Sequence, residues 1–285
     1  MENIKNLLIK KKILIVCHDT GGANIIKNFI DYYSIKVKYY LKGPALNIFK
    51  ERTQFNLISN IKKSDVVITG TGWQTDLEYK AIKYAKKFNK ICITFIDHWA
   101  NYKKRFVRNK RLVLPNIIFV FDSISQLNIK KIFKNKVKVI KVKNFYFCNF
   151  IKKAKKFKVF SKNILYLSSN YDAVLKNNNI DLMLLKNFLQ KIVKLKKYNN
   201  FNIDIKPHPT ESPKKYYQFK KNNNKIKNII KIKKLEDVIL KYKIVAGTET
   251  TGLVLAKLCK LKTINNIYRV GIKKSLPSKY ITLNI

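Results

Sequence analysis

Histidine, proline and glycine are scarce in this chain: three, six and eight of them in 285 residues. Acidic residues are few as well, 16 against 61 lysines and arginines. No apolar run approaches the roughly 18–20 residues that cross a bilayer. The N-terminal stretch MENIKNLLIKKKILIVCH lacks a small-residue cleavage site after its apolar segment, so a cytoplasmic protein is expected. The four cysteines (Cys17, Cys92, Cys148, Cys259) lie far apart with no CxxC pair, which argues against a disulfide framework or a zinc ribbon and for free, buried thiols. There is no Asp-x-Asp pair and no His/Cys cluster at metal-ligand spacing, so chemistry without a metal or a cofactor is expected.

What is abundant is lysine, and the formal net charge is +45. Nucleic acid is the first partner such a charge suggests, because phosphate neutralisation is largely electrostatic. Yet the lysines run along the whole chain, and only five arginines occur, the residue favoured for bidentate phosphate and base contacts. Lys, Ile and Asn are together what A/T-rich codons encode, so nucleic-acid binding is not the favoured reading. Attraction to an anionic membrane leaflet or to anionic sugar and phosphate substrates remains.

With 46% hydrophobic residues, the chain has enough apolar side chains for one large domain or two ordinary ones. Short apolar runs alternate with helix-like segments. Strands are expected at Lys12–Cys17, Ile35–Leu41, Asp65–Thr69, Ile91–Ile96, Ile117–Phe121 and Val137–Val142. Helices are expected at Ala23–Asp31, Pro44–Glu51 and Gln74–Lys87 and from Ser123 onward. The pattern breaks in a Lys- and Phe-rich connector at about 146–159. It restarts with strands at Ile164–Leu167, Phe201–Ile205, Lys243–Ala246 and Lys262–Ile264, and helices at Ile180–Lys197, Pro213–Lys221 and Glu249–Cys259. This rhythm predicts βαβ units on parallel sheets in two α/β lobes, 1–145 and 160–285, with a ligand cleft between them where carboxyl ends of strands face each other.

The scarce residues fall at one edge of those sheets. Gly21, Gly22, Gly70, Gly72 and Gly247 follow predicted strands, where they serve positive φ or the close approach of another group. His18, His98 and His208 also lie at or just past strand ends. In KPHPTE, Pro207 and Pro209 stiffen the loop around His208. There His208 and Lys206 can meet a phosphate, and a pKa near neutrality suits the imidazole to that role. In VAGTETTGLVLAK, Gly247, Thr248, Glu249, Thr250 and Thr251 precede a helix whose free N–H groups favour an anion, although Thr248 could simply cap it, with Glu249 favourable to the dipole. Ser168 and Ser169, in YLSSN, end a neighbouring strand and offer further donors.

A two-lobed α/β chain with this HP element, and a hydroxyl-rich strand-to-helix turn about forty residues later, resembles the GT-B superfamily of glycosyltransferases. Within it the likeness is greatest to bacterial HP-motif users of CMP-sugars, the sialyl- and Kdo-transferases, and to CDP-glycerol glycerophosphotransferases. It rests on motifs over roughly residues 163 to 265 and on architecture alone before that. It implies two Rossmann-like lobes, a nucleotide-donor lobe at the C-terminal end, His208 against the nucleotide phosphate and Thr248, Thr250 and Thr251 gripping it. Threonine stands where that family has serine, and its acidic Asp/Glu-Asp/Glu-Gly element has no clear counterpart. CHDTGGANII resembles the glycine-rich loop after the first strand of such enzymes, making Asp19 the expected general base and His18 its reserve. The acceptor side then gathers Gly21, Gly22, Gly72, Asp76, Asp97 and His98, with Trp73 and Trp99 as sugar-stacking platforms or packing residues. The run Lys103, Lys104, Arg105, Arg108, Lys110, Arg111 is either a contact for anionic lipid or acceptor, or a solvated face.

The expected activity is transfer of a sugar from a CMP- or UDP-linked donor to a glycan or lipid-linked acceptor in cell-surface polysaccharide or lipopolysaccharide synthesis. Two alternatives stand beside it. One is a non-hydrolysing nucleotide-sugar 2-epimerase on the same scaffold; the other is a non-catalytic basic protein binding membrane or RNA.

Overall fold

The computed structural model describes residues 7–72, 75–154, 161–232, 234–268 and 272–285. The chain divides into two compact units, Met1–Cys148 and Asn149–Ile285. Each is built on a six-stranded sheet in which every strand pair is parallel.

Unit 1 alternates β1 (Ile13–Cys17), α1 (Thr20–Tyr33), β2 (Val37–Leu41), α2 (Pro44–Phe49), α3 (Leu57–Lys63), β3 (Val66–Thr69), α4 (Leu77–Lys87) and β4 (Ile91–Phe95). A small antiparallel hairpin, β5 (Val107–Arg108) with β6 (Arg111–Leu112), precedes β7 (Ile117–Val120), α5 (Ser123–Phe133) and β8 (Lys138–Lys141). The strand order is β2-β1-β3-β4-β7-β8, so the winding reverses between β1 and β3. Continuous apolar runs form the central strands because helices cover both faces of such a sheet: β1, β3 and β7 are buried along their whole length. Phe29 of α1 packs 5.0 Å from Phe95 and 5.9 Å from Phe119 at the centre of this core.

The helix α6 (Phe145–Ala154) occupies part of the segment expected to be an irregular connector, and the boundary between units falls within it. Unit 2 continues with β9 (Ser161–Leu167), α7 (Tyr171–Leu175), α8 (Ile180–Ile192), β10 (Ile203–Lys206), α9 (Lys214–Lys221), β11 (Ile226–Ile229), α10 (Glu236–Ile239), β12 (Tyr242–Gly247), α11 (Thr251–Leu258), β13 (Lys262–Asn265) and β14 (Leu283–Asn284). Its order, β11-β10-β9-β12-β13-β14, is that of a dinucleotide-binding sheet, with the reversal between β9 and β12. Ile164, Ile203, Ile205, Leu185, Phe188 and Tyr216 share its core.

Two boundaries differ from expectation in ways that matter for the site. α1 begins at Thr20, so Gly21 and Gly22 lie inside its first turn rather than before it. Close approach is their reason: a Cβ on Gly21 would stand 2.1 Å from Asp97 Oδ2, and one on Gly22 3.1 Å from the Gly70 backbone. α11 begins at Thr251, and Glu249 sits in the left-handed region at φ 45°.

Candidate functional site

In both units the chemistry-bearing residues follow the strands that flank the winding reversal or the strand next to them: β1, β3 and β4 in unit 1, β9, β10 and β12 in unit 2; open α/β sheets bind ligands at such reversals. The register levels these ends: Val16 pairs with Thr69 in unit 1, and Leu167 pairs with both Lys206 and Gly247 in unit 2.

In unit 1, His18 and Asp19 leave β1 together, with His18 Nδ1 2.6 Å from Asp19 Oδ1. The His18 ring lies against Gly43, whose φ of 54° and missing side chain admit it. Beneath the pair is a residue that no motif in the sequence singles out. Glu78, only 1% exposed, accepts the His18 N–H at Oε1 (2.8 Å). Burial foremost, with the Asp19 charge adding to it, pushes its carboxyl up to about 7. Both Glu78 oxygens lie 2.9 Å, and Asp19 Oδ2 3.0 Å, from where a Cβ on Gly72 would be, so glycine there lets the two carboxyl groups approach one another.

Asp97, after β4, lies over the start of α1 and takes Arg105 Nη1 at 2.8 Å. Arg105 also donates to Thr71 Oγ1 (2.6 Å) and Ala100 O (3.1 Å), so it is an internal brace and not part of a free basic run. Arg108 is likewise engaged with Asp76, at 2.7 Å, leaving Lys103, Lys104, Lys110 and Arg111 as the exposed members. His98 Nδ1 accepts the Ala100 N–H at 3.1 Å. Trp99 is buried, with its Nε1–H on Asp122 Oδ2 at 2.7 Å; it packs the unit and offers no open stacking platform. Trp73 lies outside the described residues. Cys17 and Cys92 are buried and their thiols pushed up by burial, Cys92 to about 12, whereas Cys148 and Cys259 are half-buried.

In unit 2 the HP loop leaves β10 beside β9. Pro207 and Pro209 set its course, and Glu211 Oε2 accepts the His208 N–H at 2.8 Å, the counterpart of Glu78 under His18. His208 Nδ1 faces two groups of Thr210: the hydroxyl at 2.7 Å and the backbone N–H at 3.3 Å. An N–H can only donate, so Nδ1 is the acceptor and the ring proton belongs on Nε2. Asn170 Nδ2 donates to the same Thr210 hydroxyl (2.7 Å), which orients the hydroxyl proton towards the ring. Burial, with Lys206 assisting against Glu211, lowers the imidazole pKa below its usual value, so the ring is a neutral N–H donor at pH 7.

Glu211 belongs to a buried network that fixes the loop. Tyr216 Oη donates to Glu211 Oε1 and lies 2.8 Å from Ser168 Oγ as well. Lys215 Nζ reaches Glu211 Oε1 at 2.7 Å, Asp172 Oδ2 at 2.7 Å and Asp181 Oδ2 at 3.3 Å. Burial alone would lower the Lys215 pKa, but its bonds to Asp172 and Glu211 and their charges raise it above the usual lysine value. Ser168 is therefore an interior member of this network and not a ligand donor.

Ser169 does reach the sheet edge, but its hydroxyl donates to Thr248 O at 3.0 Å across the β9–β12 reversal. Thr250 is the N-cap of α11, accepting the Gly252 N–H, so the cap falls to Thr250 and not to Thr248. Thr251 opens the helix and Thr248 is buried. Gly247 cannot take a side chain without meeting Leu167 O at 2.9 Å. Glu249 is corrected: its carboxylate accepts from Asn265 Nδ2, from the Ser275 N–H and hydroxyl and from the Leu276 N–H, so it ties down the segment before β14 instead of facing a phosphate. Lys206 is buried at 5% exposure, and burial lowers its pKa.

No family model matches the sequence, and no curated protein matches it. Solved structures do resemble the fold. UDP-GlcNAc 2-epimerase from Methanocaldococcus jannaschii, in complex with UDP-GlcNAc and UDP, superimposes with a TM-score of 0.62 at 15% identity, covering 89% of this chain and 83% of that one. The Neisseria meningitidis UDP-GlcNAc 2-epimerase bound to UDP-GlcNAc gives 0.56 at 17% identity over 89% and 82%. The α/β-galactoside α-2,3-sialyltransferase of Photobacterium phosphoreum gives 0.52 at 10% identity over 95% and 97%. The fold is therefore of the GT-B type, two Rossmann-like units each with a six-stranded parallel sheet.

Proposed function

We propose that the chain is a nucleotide-sugar-dependent glycosyltransferase of cell-surface polysaccharide or lipopolysaccharide synthesis, taking a CMP- or UDP-linked donor and acting at the inner face of the cell membrane. The observation that carries this reading is the polar sheet edge that follows β9, β10 and β12 of unit 2. There a neutral His208 with its proton on Nε2, after β10, and the N-terminal end of the α11 dipole, after β12, share one sheet edge. Such fixed donors suit a phosphate, whose charge increases as the sugar departs.

Unit 1 carries the residue we assign as the base. Asp19 takes the proton from an acceptor hydroxyl, and the hydroxyl oxygen forms a bond to the anomeric carbon. The bond from that carbon to the donor phosphate breaks, and the phosphate leaves as an anion held by the His208 edge. The His18–Asp19 contact keeps the carboxylate oriented. The absence of a membrane-crossing helix among the described residues, together with the charge of +45, fits a peripheral enzyme that handles lipid-linked acceptors.

A second reading, a nucleotide-sugar 2-epimerase, is favoured by the higher TM-scores to epimerases, 0.62 and 0.56, than to the sialyltransferase, 0.52. Product analysis separates the two. The purified chain, given CMP- and UDP-linked sugars, is expected to release nucleotide only when a glycan or lipid-linked acceptor is present and to leave the sugar on that acceptor. Conversion to the 2-epimer without acceptor selects the second reading and rejects the first.

A further inference from the structure

Glu78 is unexplained by packing alone. A carboxyl group buried in the apolar stripe of α4, at 1% exposure, is costly unless both oxygens have partners. Oε1 has one in the His18 N–H, but Oε2 is buried with no hydrogen-bond partner among the described residues. An ionised Glu78 would thus be a buried, half-paired anion beside a second carboxylate. A protonated Glu78 gains a donor, and Asp19 Oδ2 is the acceptor that converges with it on Gly72. The other groups around them do not remove the conflict. From the β1 end come Cys17, itself pushed up by burial and by the acidic cluster, and His18, which is engaged with Asp19. From the β4 end comes Asp97, paired with Arg105; Arg108 is paired with Asp76 and donates to Gly72 O.

We propose that Glu78 is the positioning residue for Asp19 and works as a carboxylic acid, one oxygen holding the His18 amide and its hydroxyl directed to the Asp19 carboxylate. The role assigned to Asp19 rests on the transferase reading; the protonation of Glu78 does not. By fixing the loop from below and supplying a donor to Oδ2, Glu78 orients the base without contacting the sugar.

Carbon-detected NMR titration of the full chain tests the protonation directly. The Glu78 carboxyl is expected to titrate near 7, and Asp19→Asn is expected to lower that value. The sign carries over to stability. A carboxyl that binds its proton more tightly in the folded chain than in the unfolded one makes the fold less stable as pH rises from about 4.5 to about 7, with no further loss above. The urea midpoint should fall across that window in the native chain and fall less in Glu78→Gln. If the transferase reading holds, Glu78→Gln, which still offers an N–H to Asp19, should retain at least tenfold more kcat than Glu78→Ala. Titration of Glu78 in the ordinary carboxylate range, or no response to Asp19→Asn, overturns the proposal whatever the activity. A normal titration response with no transfer activity in any chain leaves Glu78 as described and rejects the transferase reading instead.

Discussion

Asp19→Asn is expected to lower kcat by on the order of 10²–10⁴, the range over which a positioned general base contributes. The asparagine keeps the size of the carboxylate and can still face His18, but it cannot take the proton of an acceptor hydroxyl. Donor binding, assigned to unit 2, should be unchanged, so the loss should appear in kcat while the donor KM stays within a few-fold. Steady-state kinetics at saturating acceptor read this directly. A variant with near-native kcat would remove Asp19 as the base and pass the role to its reserve, His18.

Lys215→Met should destabilise unit 2 by about 3 kcal/mol, because it leaves carboxylates of a largely buried network without their cation. Lys215 is the shared partner of Asp172, Asp181 and Glu211, and Asp181 is 2% exposed. The three carboxyl groups would then repel one another, and some would take up protons to relieve it. The cost should also reach the HP loop, since Glu211 holds the His208 amide. Native-state hydrogen exchange of amides in β9, β10 and β12 measures the effect without relying on the tryptophans, both of which lie in unit 1. Unaltered protection would mean that solvent already compensates the network.

Much of the architecture was legible because a strand buried on both faces must be apolar throughout, and the runs at β1, β3, β7, β9 and β12 stand out against a lysine-rich background. β14 was not legible: its two residues pair by backbone, and nothing in Leu283–Asn284 marks a strand. α6 was read as connector since its lysines and phenylalanines suggested no single face. For the site, scarcity was the useful signal. Three histidines and a handful of glycines single out the strand ends at which the candidate site is placed, because each must do something that the common residues cannot.

Residue roles were harder to read. Glu78 could have been noticed as a carboxylate at the spacing of Ala81, Ile82 and Ala85, the buried face of α4, yet a lone Glu in LEYKAIKYAKK looks like surface. Glu211 closes the KPHPTE stretch, yet support from three residues beyond a histidine is visible only once the loop is folded. Glu249 was assigned to phosphate on helix-dipole grounds, but its left-handed backbone turns the carboxylate towards Ser275 and Leu276, and no sequence pattern announces that.

A nucleotide phosphate at the sheet edge after β9, β10 and β12 of unit 2 should be held through His208 Nε2–H. Calorimetric titration of the full chain with CMP, CDP, UDP and GDP, repeated on His208→Ala, tests it most directly. At least one nucleotide should bind, and the alanine variant should bind it about tenfold or more weakly, the loss expected for one hydrogen bond to a charged group. Binding of none of the four, or equal binding by His208→Ala, would contradict the account.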